Sequence, residues 1–428
     1  MLTPSSAHRR SSCTAQSVVV LNNFCHAQGG ASRVAIDEAV ALAGCGVRVI
    51  FIGAVGPVCP ELARAPLEVV CLEQSELASA PARPGVIVQG LWNAAAYRAL
   101  ETVLRDLDPA TSIVHLHGFT QALSTSPVRC AVQRGFSVVY TLHDFFVACP
   151  NGTFFDFAAR SPCGRRALSL DCITAQCDKR NYAHKLYRVA RSSIQRHLGQ
   201  FPRGVKDYVA LSRRSESLLR SYLPKDARIH PLPNPVEVDR APPIEVARNS
   251  NLVAVGRLDP EKGIDVLLEA ARRAGVLLTL VGDGPLRHEA QASGLCRVTG
   301  WMSREGVLAE LESARCLVFP SLWYETYGLA VAEAAARGIP ALVSDISAAA
   351  ERVENGVTGW HCRAGDVGDL ADRLVALRDD AAVAAAGRAA YERFWSDPPT
   401  SAGHIAKLMD VYREILTRRS LHASEVGT

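Results

Sequence analysis

The chain has 428 residues, of which 48% are hydrophobic and 21% charged, and its formal net charge is +4. This composition is typical of a globular protein and excludes a disordered or fibrous chain. The length exceeds what one hydrophobic core supports and predicts two domains of roughly 200 residues each. Because the longest apolar runs are too short for a membrane span or a secretory signal, we expect a cytoplasmic protein.

The first half of the chain predicts a doubly wound α/β domain over residues 17–232, after a flexible tail at 1–16. Gly29 and Gly30 stand between the first strand and the first helix, where glycine lets the backbone approach a ligand closely. The dinucleotide fingerprint G-x-G-x-x-G is missing. The predicted elements are strands at 17–22, 47–52, 86–89, 112–117, 137–142 and 208–211, and helices at 31–45 and 93–107.

Two predicted strands of this domain end in histidine. His117 closes one of them, and His143, followed at once by Asp144, closes the other. Because the carboxyl ends of parallel strands meet at one edge of a sheet, both histidines should point at one cleft. A lone histidine is most often a structural residue, but the His143-Asp144 pair at a strand end favours a functional role.

An irregular insertion over residues 149–181 carries four cysteines, spaced C-x13-C-x8-C-x4-C. Four thiols in a loop with little core could hold a tetrahedral Zn²⁺ and so order the segment. The usual paired C-x2-C spacing is missing. Three states therefore remain open: a structural zinc site, free or packed thiols, and disulfides, which a cytoplasmic location disfavours. The four residues are Cys149, Cys163, Cys172 and Cys177.

Positive charge is concentrated between Asp156 and Arg228, where 16 Lys and Arg stand against 6 Asp and Glu. A charge run of this kind usually forms a solvated face. A basic, partly amphipathic region also suits docking on anionic lipid headgroups, which indicates a peripheral position at the inner membrane surface. No nucleic-acid-binding motif accompanies the charge, so nucleic acid is not an expected partner.

A proline-rich linker over 233–250 leads to a second α/β domain over 251–398 and a terminal helical segment over 399–428. The alternation of strand and helix begins again at residue 251, which predicts a second doubly wound sheet facing the first. The predicted elements are strands at 251–255, 276–281, 297–299, 316–319 and 341–344, and helices at 264–274, 303–313, 367–377, 381–394 and 405–417.

Two loops of the second domain suit a phosphate ester. Arg257 and Lys262 lie on a strand-to-helix loop, where a guanidinium fork and an ammonium can neutralise a diphosphate. Glu325 and Glu333 flank Gly328, at which another strand passes into a helix whose free N–H groups and dipole favour an anion. A diphosphate with hydroxyl groups to bind on either side fits this arrangement, and a nucleotide sugar is such a molecule.

With these motifs in this order, the chain resembles glycosyltransferase family 4, the retaining enzymes with the GT-B fold. The resemblance implies two facing Rossmann-like doubly wound domains with a deep interdomain cleft, and a final helix that crosses back to the first domain. It also implies metal-independent transfer from a UDP- or GDP-sugar, with no cofactor required. The motifs are Gly29-Gly30, His143-Asp144, Asn234-Pro235-Val236, Gly256-Arg257-Leu258, Glu261-Lys262-Gly263, Gly282-Asp283-Gly284-Pro285, Pro320-Ser321 and Glu325-x7-Glu333.

The resemblance also implies roles for single residues. Arg257 and Lys262 would bind the donor diphosphate and stabilise the charge that develops on it. Glu333 would bind the ribose hydroxyls, Glu325 the transferred sugar, and His143 would lie beside the reacting sugar. His117 and Asp144 are weaker candidates on the acceptor side. The other implied donor-binding residues are Gly30, Gly282, Asp283, Tyr327, Gly328 and Leu329.

The implied function is transfer of a hexose-type sugar to a glycan or lipid-linked glycan acceptor in the biosynthesis of a cell-surface polysaccharide, such as an exopolysaccharide, capsule or O-antigen. Two alternatives come from other classes. The missing glycine fingerprint argues against a nucleotide-dependent oxidoreductase or epimerase. The presence of all the motif residues argues against a non-catalytic GT-B scaffold protein.

Overall fold

The structure of the chain, a computed structural model, describes residues 15–76 and 84–426. The flexible tail expected at 1–16 lies almost wholly outside the described residues. Two parallel sheets of seven and six strands, each covered by helices, form two Rossmann-like domains. The predicted α/β fold class is therefore confirmed.

The first domain is built on the seven-stranded sheet, whose strand order is β3-β2-β1-β4-β5-β8-β9 with every neighbouring pair parallel. All eight residues of β1 are buried, as expected for a strand with helices on both faces of its sheet. A separate two-stranded hairpin, β6–β7, lies in the cysteine-containing insertion. The strands are β1 (Ser17–Phe24), β2 (Arg48–Val55), β3 (Glu68–Cys71), β4 (Ser112–Leu116), β5 (Ser137–Thr141), β6 (Phe155–Asp156), β7 (Ser161–Pro162), β8 (Asp207–Ala210) and β9 (Arg228–Pro231).

The second domain is built on the six-stranded sheet, ordered β12-β11-β10-β13-β14-β15 and also parallel. In both sheets the chain starts in the middle and reverses direction, between β1 and β4 and between β10 and β13. Such a switch point opens a crevice at the carboxyl ends of the strands, where ligands bind. The strands are β10 (Asn251–Val255), β11 (Leu278–Val281), β12 (Cys296–Gly300), β13 (Ala314–Phe319), β14 (Ala341–Ser344) and β15 (Gly359–Cys362).

Helices cover both sheets. Those of the first domain are α1 (Gly30–Gly44), α2 (Pro60–Arg64), α3 (Pro84–Leu91), α4 (Ala94–Arg105), α5 (Ser126–Gln133), α6 (Leu170–Thr174), α7 (Tyr182–His197) and α8 (Arg213–Leu219). Those that follow are α9 (Ile264–Ala274), α10 (Arg287–Ala292), α11 (Arg304–Glu312), α12 (Leu329–Ala336), α13 (Val367–Ala376), α14 (Asp380–Ser396) and α15 (Ser401–Val426).

The strand predicted at 86–89 is wrong, because these residues lie in helix α3. A short apolar run fits a strand and a helix equally well, and Pro84 at the first helical position presets the backbone for a helix. The side chains of Ile87 and Val88 are 42% and 61% exposed, so the run was never part of a buried sheet.

The last helix, α15, returns to the first domain and packs on α1. Ile405, Leu408 and Tyr412 are buried in a cluster that includes Ile36 and Leu42 of α1. The chain between β9 and the second domain is irregular apart from one turn of 3-10 helix at Val246–Arg248. Within residues 15–76 and 84–426, no helix combines the length and the apolar character that a membrane span requires.

Candidate active site between the two domains

The implied site residues lie in the loops and helix starts that follow the carboxyl ends of β1, β4, β5, β10, β11 and β13, and the two domains touch there. A Cβ atom placed on Gly30 of the first domain would lie 3.5 Å from Leu329 Cδ1 of the second. The Thr326 hydroxyl donates a hydrogen bond of 3.2 Å to the backbone carbonyl of His143. The edges of the two sheets therefore form one composite site.

Lys262 and Glu325 form an ion pair at this site. The Lys262 ammonium lies 2.6 Å from Glu325 Oε1, and the Ser321 hydroxyl donates to the same oxygen at 2.6 Å. Glu325 is buried and has a positive φ of 50°, which is uncommon for a side chain with a Cβ atom. Strained backbone of this kind tends to cluster at ligand-binding positions.

Arg257 is held at the edge of the site by two buried carboxylates on the same loop. Its guanidinium lies 2.9 Å from Asp259 and 3.5 Å from Glu261, while the side chain itself is 60% exposed. Lys179 of the insertion reaches across to bond Asp259 at 2.6 Å and lies 3.8 Å from Glu261. Two carboxylates this close repel each other, so the two cations stabilise the loop that presents Arg257.

Gly282 and Asp283 serve the shape of the neighbouring loop. A Cβ atom on Gly282 would lie 1.9 Å from the carbonyl oxygen of Gly256, so a side chain there would separate the two loops. Asp283 accepts from the backbone N–H of Gly284 at 2.8 Å and from Arg287 at 2.7 Å. In the structure these two residues pack against the loop that carries Arg257 and help to fix its shape.

The anion-binding groups that the resemblance implies lie at the start of helix α12. Gly328 has a φ of 87°, which glycine adopts readily, and the first N–H groups of the following helix have no acceptor within the helix. The side chain of Tyr327 is already engaged, because its hydroxyl donates to the carbonyl of Asn234 at 2.7 Å and Arg352 stacks on its ring.

Glu333 lies on the second turn of α12, with its carboxylate 3.5 Å from Arg304. Burial raises the pKa of this carboxyl, and Arg304 partly opposes that rise. A carboxylate that has one oxygen near a cation can accept hydrogen bonds from hydroxyl groups through its other oxygen.

His143 and His117 lie side by side, just beyond the carboxyl ends of the paired strands β5 and β4. His117 Nδ1 is 2.9 Å from His143 Nε2, and the rings stack at 5.1 Å. Burial lowers the pKa of His143 to about 4, so it is neutral near pH 7. Asp144 folds back onto its own loop, accepting from the N–H of Phe146 and the hydroxyl of Tyr140, and burial raises its pKa to about 6.

The four thiols of the insertion do not converge on a tetrahedral site in the structure. They are free, and the buried ammonium of Lys185 lies 3.0 Å from the sulfur of Cys177 and 3.6 Å from that of Cys172. Burial would lower the pKa of Lys185, but the hydrogen bond that its ammonium donates to Cys177 and the nearby sulfurs raise it. Cys163 lies apart, against Arg165 at 3.8 Å. A cation already placed among the sulfurs disfavours Zn²⁺ there.

Among the described residues, one group of metal-ligating side chains has atoms within 4.8 Å of one another: Glu38, His115 and His117. Protein partners already occupy this group. His115 bonds the Tyr412 and Thr141 hydroxyls, at 2.6 and 2.7 Å, and Glu38 bonds His404 at 2.9 Å. The geometry is that of a buried hydrogen-bonding cluster.

Several site residues were not found from the sequence. Ser321 was part of the Pro320-Ser321 motif but had no predicted role. Lys179 was counted only among the positive charges of the insertion. The signal for Glu38 was a carboxylate on the buried face of an otherwise apolar helix. Nothing in the sequence linked it to His404, which is 366 residues away.

Comparison with known proteins agrees with this geometry. A family model described as "Glycosyltransferase Family 4" matches residues 28–240, and one described as "Glycosyl transferases group 1" matches residues 249–380. The fold and the paired switch-point loops define the protein as a member of the GT-B class. Within that class, the chain belongs to glycosyltransferase family 4.

The curated proteins to which the chain is similar have names that describe different activities. A glycogen synthase of Mycobacterium tuberculosis is 37% identical over 161 residues, or 35% of this chain and 39% of the relative. A phosphatidyl-myo-inositol mannosyltransferase of Mycobacterium leprae is 33% identical over 209 residues, or 44% of this chain and 54% of the relative. This chain therefore spans about half or less of these curated relatives. The crystal structure of HepE from Anabaena with UDP-glucose superposes with a TM-score of 0.64 at 17% identity, covering 92% of this chain and 99% of that one.

Proposed function

We propose that the protein is a retaining glycosyltransferase that moves a hexose-type sugar from a UDP- or GDP-sugar to a hydroxyl group of an acceptor. The observation that carries the proposal is the Lys262–Glu325 pair at the start of α12, with Arg257 on the adjoining loop. It brings two cations, a carboxylate and a helix N-terminus to one edge of the sheet, which is what a sugar diphosphate requires. Family membership supports the same reading.

In this proposal the donor displaces the internal ion pair. The diphosphate takes Lys262 and Arg257 as its cations, and Glu325 turns to the hydroxyl groups of the transferred sugar. Glu333 binds the ribose, and Gly30 approaches the donor from the first domain. The two cations then stabilise the charge that develops on the leaving diphosphate, which is electrostatic catalysis.

Transfer with retention is proposed to occur on one face of the sugar. The bond from the anomeric carbon to the phosphate oxygen breaks as the acceptor oxygen bonds to that carbon, and the acceptor proton passes to the phosphate oxygen. Glu325 and Glu333 are each held by a cation, which suits binding rather than nucleophilic attack. Contact between the domains at Gly30 and Leu329 favours exclusion of water during the reaction.

The acceptor is proposed to be a glycan or lipid-linked glycan met at a membrane surface, in the synthesis of a cell-surface polysaccharide. Helices α3 and α7 pack together and expose Ile87, Val88 and Leu186, and α7 belongs to the basic stretch of the chain between Asp156 and Arg228. An apolar ridge among cations suits anionic headgroups. A cavity of about 500 Å³ beside the end of α7 is lined by aromatic and basic side chains, among them Trp92, Tyr97, Arg98 and Arg129.

A soluble glucan is the second candidate acceptor, and the relative named as a glycogen synthase favours it. One assay distinguishes the two candidate acceptors. In it the protein receives labelled donor together with either glycogen or an anionic lipid extract. Label that enters only the lipid fraction supports the membrane acceptor, and label that enters only the glucan overturns it.

The donor is tested by isothermal titration with a panel of UDP- and GDP-sugars and with NAD(H). We expect one nucleotide sugar to bind, and Arg257→Ala to weaken that binding. The exposed Arg248, which pairs with the nearby Glu245, offers Arg248→Ala as a matched control that should bind like the wild type. Binding of nicotinamide nucleotides alone would overturn the proposal and favour an oxidoreductase.

A further inference from the structure

Glu38 is a buried carboxylate at the centre of a cluster of four histidines. It lies on α1, and three of the histidines face it from three directions. Its Oε1 is 2.9 Å from His404 Nε2, and its Oε2 is 3.4 Å from His117 Nε2 and 3.8 Å from His115 Nδ1. The fourth, His143, joins through His117 at 2.9 Å. None of these contacts belongs to a role assigned so far.

His404 must carry a proton on both ring nitrogens. Its Nδ1 lies 2.9 Å from the carbonyl oxygen of Pro233, which can only accept, and its Nε2 faces the Glu38 carboxylate. Burial would lower the pKa of His404, but the hydrogen bond and the charge of Glu38 raise it. His404 is therefore an imidazolium that pins α15 to both α1 and the linker.

Glu38 is ionised for the same reason. Burial would raise the pKa of its carboxyl, but the facing His117 and the hydrogen bond from His404 lower it below the ordinary value. Burial holds the pKa of His117 well below its ordinary value, so the lasting cation beside Glu38 is His404.

These protonation states fix the hydrogens on the two remaining rings. His117 Nε2 and Glu38 Oε2 are 3.4 Å apart, and neither atom has a hydrogen-bond partner among the described residues. The charge of the carboxylate favours the one hydrogen of a neutral His117 on Nε2, which keeps a lone pair on Nδ1. His143 Nε2 lies 2.9 Å from that lone pair and must donate to it. Because His143 is also neutral, its Nδ1 is bare, and it is the ring nitrogen left for a ligand.

We infer that Glu38, His117 and His404 are positioning residues that hold His143 with its Nε2 hydrogen turned inward and its Nδ1 lone pair turned to the donor site. His143 then acts only as a hydrogen-bond acceptor, and its ligand is a hydroxyl group of the transferred sugar or of the acceptor. An anionic phosphate oxygen is excluded at that atom, because it would face a lone pair. The identity of the ligand rests on the proposed function. The tautomer of His143 is inferred from the histidine cluster alone.

The network also connects His143 to parts of the chain distant from it. His404 belongs to α15, Pro233 to the linker between the domains, and His143 to the interface that Thr326 closes. His115 stands beside the chain of contacts and is held by the Tyr412 and Thr141 hydroxyls. The final helix thus has a defined contact path to the site.

The tautomer is tested by nitrogen NMR on protein labelled at histidine, with His143→Asn used to assign its signals. We expect the wild type to show His143 protonated at Nε2 and unprotonated at Nδ1 near neutral pH. In Glu38→Gln the carboxylate charge is lost, and the His143 signals should shift toward a mixture of tautomers. A wild-type His143 protonated at Nδ1 would overturn the inference whether or not the protein transfers sugar.

The functional consequence is tested by kinetics on a matched pair, His117→Asn and His117→Leu. Asparagine can place an oxygen where Nδ1 stood and accept from His143, whereas leucine cannot. We expect His117→Leu and Glu38→Gln to lower kcat on the order of 10- to 100-fold with unchanged UDP affinity, and His117→Asn to recover most of the loss. The surface carboxylate of Glu61 supplies Glu61→Gln as the control. Equal losses in both His117 variants would mean that the role is packing and would sink the inference, whereas a wild type without transferase activity would sink the proposed function alone.

Discussion

The ammonium of Lys262 lies 2.6 Å from the carboxylate of Glu325, and this pair joins the loop after β10 to the loop after β13. The Lys262 ammonium also lies 4.9 Å from the ring centre of Trp323. Each partner of the pair is the other's counter-ion in this structure. In the proposed function a diphosphate replaces Glu325 beside Lys262, and sugar hydroxyl groups then bind Glu325.

The two members of this pair should therefore respond differently to substitution. We expect Lys262→Met to weaken UDP binding about tenfold or more, because one cation facing the diphosphate is lost. We expect Glu325→Gln to bind UDP at least as tightly as the wild type, because Lys262 is no longer neutralised, while sugar transfer falls. Titration calorimetry with UDP and a transfer assay measure the two effects, and weaker UDP binding in Glu325→Gln would contradict the exchange of partners.

His404 should make stability depend on pH. Its pKa is raised on folding, so its contribution is complete below the unfolded value of about 6.5 and is lost as pH rises through the folded value. The groups that face it are Glu38, His115 and His117 from the first domain and Lys407 on its own helix. We expect His404→Gln to lower the free energy of unfolding by about 2 kcal/mol near pH 6, with a smaller loss near pH 9. Urea unfolding at both pH values measures this, and a loss that grows with pH would show the sign to be wrong.

The exposed apolar ridge on α3 should bind membranes. We expect the double variant Ile87→Asp and Val88→Asp to lose most of its binding to vesicles that contain phosphatidylglycerol, because it puts charge where apolar side chains enter the interface. Leu277 of the second domain is also exposed, and Leu277→Asp serves as the control. Co-sedimentation measures the fraction of protein bound to the vesicles. Equal binding by the wild type, the double variant and Leu277→Asp would show that α3 does not contact the membrane.

The thiols around Lys185 should be independent of metal. We expect a chelator to leave the unfolding midpoint unchanged, because the Lys185 ammonium lies against the sulfurs of Cys172 and Cys177 and would repel Zn²⁺. Lys185→Met should lower the midpoint, since it removes the hydrogen bond to Cys177. Metal analysis of the purified protein completes the test. If the protein holds one Zn²⁺ per chain and loses both the metal and stability on chelation, the thiols form a structural zinc site after all.

Much of this architecture follows from local pattern. Alternating strands and helices predicted both sheets, and the rule that parallel strands end at one edge predicted that His117 and His143 would point at one cleft. The strand predicted at 86–89 is instead helical, because a run of three apolar residues fits both kinds of element. The contacts of Glu38 with His404 and of Lys179 with Asp259 join segments far apart in sequence, and only the packed fold reveals them.

The most direct test of the central claim is the stereochemistry of donor cleavage. Water can replace the acceptor slowly, so hydrolysis of the bound nucleotide sugar can be followed by proton NMR before the released sugar equilibrates. We predict that the first sugar released has the same anomeric configuration as the donor and that Arg257→Ala abolishes its release. An inverted sugar, or release that Arg257→Ala does not change, would contradict the assignment of a retaining glycosyltransferase to this site.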